Sequence, residues 1–145
     1  MATDKIRLAK EGVEAFSKGD WDRFKAPLNS DAVYDEVATQ RRVQGPDAIV
    51  EAVKGWRKAF PDAKGTVTRA FESADTVGLE ILWEGTQRGP LESPQGTIPP
   101  TGRSVRIPAA QVVSFRNEKI SETKHYFDLM SMLAQIGAIP SPVSA

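Results

Sequence analysis

Residues 104–127 read SVRIPAAQVVSFRNEKISETKHYF, and this stretch decides the fold. Over 104–116 the apolar positions recur with period two. Val105, Ile107, Ala109, Val113 and Phe115 share one face, with Gln111 among them. That period belongs to a strand, whose successive side chains point to opposite faces. Asn117-Glu118 fits a tight hairpin, because asparagine takes the left-handed backbone conformation at low cost. Residues 119–127 form the return strand. Working back toward the N-terminus, residues 76–88 make a long strand with Val77, Leu79, Ile81 and Trp83 on one face and Gly78, Glu80, Leu82 and Glu84 on the other. Residues 66–72 precede it, joined by a Ser73-Ala74-Asp75 turn. Consecutive strands with such short connections are antiparallel.

One face of such a sheet must be covered, and the upstream sequence supplies helices to cover it. In residues 4–18, Ile6, Ala9, Val13 and Phe16 recur at three- and four-residue spacing, with Thr3 or Asp4 able to cap the start and Gly19 to end it. Asp20 caps a short helix over 21–25, stopped before Pro27. Residues 32–37 carry strand formers. Gly45-Pro46-Asp47 opens a stronger helix whose stripe is Ile49, Val53, Trp56 and Phe60. Residues 128–136 read as a closing helix, and 141–145 as a frayed tail. Residues 89–102 are rich in turn residues; a loop this long in a small domain suits a lid or a pocket rim. The expectation is one α+β domain over 1–145, with a curved antiparallel sheet wrapped around helices and a cavity between them.

Composition narrows the function. The 19 basic and 19 acidic residues cancel, which disfavours nucleic acid and anionic membrane surfaces as partners. The absence of cysteine removes thiolate nucleophiles and thiolate metal sites, and a single histidine, His125, cannot build a polyhistidine centre, so no metal is expected. No apolar run suggests a signal peptide or a membrane span, and the expected location is the cytoplasm. No glycine-rich strand-to-helix turn suits a nucleotide, and no serine sits in a nucleophile elbow. The expected chemistry is therefore acid–base work without a cofactor.

His125 and Asp128 lie three residues apart where the last strand gives way to the closing helix. A partly desolvated carboxylate there can serve as a general base, and an imidazole beside it can share the proton or orient a substrate. Asp128 is also well placed as a helix N-cap, and His125 as a surface strand residue, and caps are far commoner than catalytic carboxylates. Gln111 interrupts an apolar face, so its amide needs a partner, which a ligand carbonyl would supply. Trp83, Trp56, Tyr34 and Phe60 can line an apolar pocket or simply fill the core. Asp35 and Glu36 point to opposite faces, so at most one enters a pocket. Arg41-Arg42 reads as a solvated turn.

Several pieces recur together in one family. They are Phe60-Pro61-Asp62, Gly85-Thr86, Pro100-Thr101-Gly102-Arg103, Asn117-Glu118-Lys119-Ile120, and Asp128 followed by Leu129-Met130 and Gln135-Ile136-Gly137. In this order, over roughly residues 5 to 139, the chain resembles the SnoaL-like polyketide cyclases, often labelled ester cyclases, of the NTF2-like superfamily. The resemblance implies a cone-shaped α+β barrel, a homodimer, and ring closure by intramolecular aldol condensation on a small apolar carbonyl compound without metal or cofactor. It also implies that Asp128 is the acid/base residue. The chain departs from many relatives at Gln87, where they carry histidine, and at Lys124, where they carry an aromatic residue. The same fold serves as a plain binding module for small hydrophobic molecules, which is the alternative reading.

Overall fold

Asp4 starts the first helix, its carboxylate accepting the Arg7 backbone N–H at 3.0 Å, and Gly19 ends it in the left-handed conformation. The structure is a computed structural model and describes residues 4–93 and 96–139. The cap reading at Thr3 and the frayed tail at 141–145 lie outside those residues. Helix α1 (Lys5–Lys18) buries Ala9, Val13 and Phe16, the stripe expected from their spacing. Asp20 caps α2 (Trp21–Lys25) in the same way. Strand β1 (Leu28–Glu36) turns through residues 37–39 into β2 (Arg41–Gln44). Helix α3 (Pro46–Ala59) opens with its proline in the first turn and buries Ile49 and Val53.

The remaining strands are β3 (Lys64–Ser73), β4 (Thr76–Thr86), a small β5–β6 hairpin (Leu91–Ser93 and Gly96–Ile98), β7 (Ser104–Arg116) and β8 (Lys119–Phe127), followed by α4 (Leu129–Gln135). Asn117 and Glu118 both take positive φ, 53° and 68°, at the β7–β8 turn. That backbone matches the right-handed twist of the strands it joins.

The large sheet has the order β2-β1-β8-β7-β4-β3. Four of its junctions are antiparallel, but β1 runs parallel to β8, with Tyr34 opposite Thr123 and Glu36 opposite His125. The sheet is therefore mixed, which corrects the antiparallel expectation. Turn reasoning couples only strands that are neighbours in sequence; β1 and β8 meet from opposite ends of the chain, so no turn sets their direction. A second correction concerns Arg41 and Arg42, which lie in β2 opposite Glu36 and Asp35 rather than in a solvated turn.

Register shifts interrupt β1–β8, β3–β4 and β7–β8. Each extra residue bends its strand and increases its twist, which curls the sheet around α1 and α3. Trp83 packs against all three groups of buried side chains that make up the interior. Gly65 makes room for it, since a Cβ there would lie 2.6 Å from the indole ring. No helix among the described residues is long and apolar enough to cross a membrane.

Candidate functional site

Between the concave face of the sheet and the helices lies a cavity of about 120 Å³. Its walls are mostly apolar. Tyr34, Trp56, Phe60, Trp83, Gln111 and His125 all line it, so the structure brings together every candidate pocket residue except Asp128. The pleat explains the grouping. Tyr34 on β1, Trp83 on β4, Gln111 on β7 and His125 on β8 each occupy an inward position, and Gln111 lies directly opposite His125 across the β7–β8 ladder.

His125 is 7% exposed and both of its ring nitrogens are occupied. The Trp83 indole N–H donates to Nε2 at 3.1 Å, and the Tyr34 hydroxyl lies 2.9 Å from Nδ1. Burial pushes the imidazole pKa down to about 4, against an opposing pull from Glu36, so the ring is neutral near pH 7. The Tyr34 hydroxyl in turn donates to Glu36 Oε2 at 2.9 Å. Burial first, then the Glu36 charge, raises the phenol well above its ordinary range.

Glu36 has 0% of its surface exposed and is surrounded by donors. Besides Tyr34, the Trp56 indole N–H reaches Oε2 at 2.8 Å, the Thr39 hydroxyl reaches Oε1 at 2.6 Å, and Arg41 Nη2 reaches both oxygens at 3.1 and 3.2 Å. A buried carboxylate is tolerable only when its lone pairs are met in this way. Sequence reasoning leaves open which of Asp35 and Glu36 turns inward, and it does not name Arg41 as a site residue. The signal is present in part: Tyr34 and Glu36, two apart on one strand, must share a face. Asp35 takes the other face, 3.3 Å from Arg42.

Gln111 is half-buried, lines the cavity, and finds no hydrogen-bond partner for its amide among the described residues. Its NH₂ and carbonyl are thus available to a ligand.

The surroundings expected of Asp128 are not the ones it has. Its side chain is exposed, does not line the cavity, and caps α4. Oδ2 accepts the Ser131 hydroxyl at 2.6 Å and Oδ1 the Ser131 backbone N–H at 3.0 Å. These hydrogen bonds, the hydroxyl's first, hold the carboxyl below the usual carboxylate range, the opposite of what desolvation would do. The physical reason is that α4 starts at Leu129, so its free N–H groups compete for the oxygens of the residue just before it.

The 89–102 loop is also corrected. None of its described residues lines the cavity. Leu91 belongs instead to the buried cluster that also holds Ala59, Phe60, Met132 and Leu133. Gln87, fully buried, anchors the loop: its NH₂ donates to the carbonyls of Gly89, Ile98 and Pro99, and its oxygen accepts from the Thr101 N–H and hydroxyl. Among the described residues no cluster of three or more His, Cys, Asp or Glu side chains could hold a metal ion.

A curled mixed sheet closed by helices around an apolar cavity, with a buried polar cluster in one wall, defines an α+β cone of the NTF2-like kind. The chain belongs to the SnoaL-like polyketide cyclase family, whose model matches residues 7–136. Solved structures agree on the fold. AclR from Streptomyces galilaeus is 23% identical, with a TM-score of 0.81 over 97% of this chain and 85% of that one. A protein of ketosteroid isomerase-like fold from Catenulispora acidiphila DSM 44928, in complex with trimethylamine, is 19% identical, with a TM-score of 0.78 over 99% of this chain and 100% of that one. TsrD from Streptomyces laurentii is 18% identical, with a TM-score of 0.81 over 96% and 99%. No curated protein matches the chain.

Proposed function

We propose that this protein is a cyclase-type acid–base enzyme acting on a small, mostly apolar carbonyl compound held in the cavity, with His125 as the proton acceptor. The observation that carries this reading is a neutral, buried imidazole facing an apolar cavity directly across the ladder from an amide that has no partner among the described residues. In this mechanism the Gln111 NH₂ donates to a substrate carbonyl. His125 Nε2 takes a proton from the adjacent carbon, the C–H electron pair moving into the enolate. The seated substrate takes the place of the Trp83 indole N–H at Nε2. The enolate carbon then attacks a second carbonyl of the same molecule, and the imidazolium returns its proton to the new alkoxide. A base of modest pKa suffices when the carbon is activated and its oxyanion is met by a positioned donor. The apolar walls fold the substrate so that its reacting carbons meet. Family membership supports the cyclase type of reaction.

The engagement of both Asp128 oxygens by Ser131 supports giving the proton-transfer role to His125 and a capping role to Asp128. The test uses 2-tetralone, whose C1 protons lie between a ring and a carbonyl. Their exchange in D₂O is followed by proton NMR. The wild-type protein is expected to accelerate exchange, Asp128→Asn to retain the rate, and His125→Asn to lose it. Exchange at the wild-type rate with His125→Asn removes His125 from the chemistry.

A second reading is a binding module without catalysis. It is favoured by one observation: both nitrogens of His125 already have partners in the ligand-free protein. It predicts saturable 2-tetralone binding, read from tryptophan fluorescence, with no exchange above background.

A further inference from the structure

The cluster behind His125 has a direction. An indole N–H only donates, so His125 Nε2 must accept from Trp83, and the ring proton must sit on Nδ1. That N–H then donates to the Tyr34 oxygen, and the Tyr34 hydroxyl donates onward to Glu36. Trp56 and Arg41 also donate only, so the contacts they make to Glu36 suit an ionised carboxylate. The chain Trp83–His125–Tyr34–Glu36 thus runs one way, from the cavity wall to a buried charge backed by Arg41.

We propose that Glu36 is a positioning residue for His125, acting through Tyr34. The carboxylate orients the phenol, the phenol holds the ring in its Nδ1–H form, and the lone pair that remains is Nε2. This role rests on the reading of His125 as the proton acceptor and adds what makes that acceptor usable. Imidazole side chains in water favour the opposite, Nε2–H form, which would present the cavity with a donor instead of a base. When Nε2 takes a proton, the imidazolium stands two hydrogen bonds from the Glu36 charge, which stabilises it. Tyr34 keeps its own proton throughout, so no net transfer to Glu36 is required: one C–H bond breaks, one N–H bond forms at Nε2, and the reverse step restores it. The groups packed on the ring are Tyr34 from β1, Trp83 from β4 and Phe127 from β8 itself. Glu36 and Arg41 stand behind Tyr34.

The chain has one histidine, so long-range proton–nitrogen NMR of the full protein reads this ring without ambiguity. The wild type at pH 7 is expected to show a single neutral Nδ1–H tautomer. Trp83→Phe is expected to keep it, because Tyr34 and Glu36 still set the ring. The Trp83→Phe/Tyr34→Phe double variant is expected to shift to Nε2–H. A wild-type imidazolium or Nε2–H form overturns the proposal, and so does reversion to Nε2–H in Trp83→Phe alone, which would make the indole the sole determinant. Should Trp83→Phe fail to fold, Tyr34→Phe carries the test, since it leaves the Glu36–Arg41 pair intact. Its Nδ1–H signal, downfield and slow to exchange in the wild type, is expected to move upfield and exchange rapidly. An unchanged signal overturns the relay. All of these readouts are ligand-free. Failure of 2-tetralone exchange with the tautomer results as expected would therefore remove the reaction and leave the relay standing.

Discussion

Asp128 and His125 sit three residues apart and have opposite surroundings, and the difference is which groups reach each of them first. Asp128 meets the open N–H groups of α4 and becomes a cap. Asp128→Ala is expected to lower stability by about 0.5–2 kcal/mol and Asp128→Asn by much less, since asparagine caps nearly as well. Urea denaturation reads the difference. His125 meets apolar walls and two hydrogen-bonding neighbours and stays neutral. Its folded pKa of about 4 lies below the ordinary value of 6.5. Between these values the unfolded chain binds a proton that the folded chain does not. Stability from this group is therefore fully present above pH 6.5 and is lost as pH falls toward 4, at a slope of up to about 1.4 kcal/mol per pH unit. Melting curves across that window should flatten in His125→Gln, while the carboxylate contribution at still lower pH remains. An equal slope in the two proteins would mean that the wild-type ring is charged or solvated.

Elements are joined here by a few backbone contacts that admit no side chain. At the end of β4 the chain turns back on the C-terminus of α3, where the Arg88 and Gly89 N–H groups both donate to the Ala59 carbonyl. A Cβ on Gly89 would collide with the Lys58 carbonyl oxygen. That oxygen is backbone, so the strand end and the helix end would have to part. Gly89→Ala is expected to cost about 1–3 kcal/mol, as overpacking does, with a lower urea midpoint at unchanged slope. The nearby Gln87 is fully buried. Its side-chain hydrogen bonds into the 89–102 loop show a buried polar residue serving the connection between β4 and β7 and not the cavity. The loop's turn residues were legible from composition. Its packing was not, because the partners of Gln87 and Leu91 are set by long-range contacts.

The cavity is a property of the entire chain, since helices α1 and α3 and strands β1, β4, β7 and β8 all contribute to its walls. Gly12 on α1 lines it, and a Cβ there would meet nothing within 4 Å. Gly12→Ala is expected to raise stability by about 0.5–1 kcal/mol through helix propensity. Gly12→Leu is expected to occupy the space. It should abolish the rise in melting temperature that a saturating ligand such as 2-tetralone gives the wild type, an effect worth about 2.7 kcal/mol at roughly a hundred times its Kd. A ligand-induced shift that survives in Gly12→Leu would place binding elsewhere. Much of this architecture was legible in the amino-acid order. The period-two runs around Trp83 and Gln111, the helical stripe of Val13 and Phe16, and the Asn117 turn are local signals, written in spacing and backbone preference. They were enough for the α+β class, the inward set Tyr34, Trp83 and Gln111, and the prospect of a hollow beneath the helices, but they left His125 open between pocket and surface. Tertiary structure alone decided the parallel meeting of β1 with β8, the burial of Glu36 against Arg41, and the turning of Asp128 away from the cavity. Each of these depends on which distant group arrives beside a side chain, and neither periodicity nor propensity carries that information.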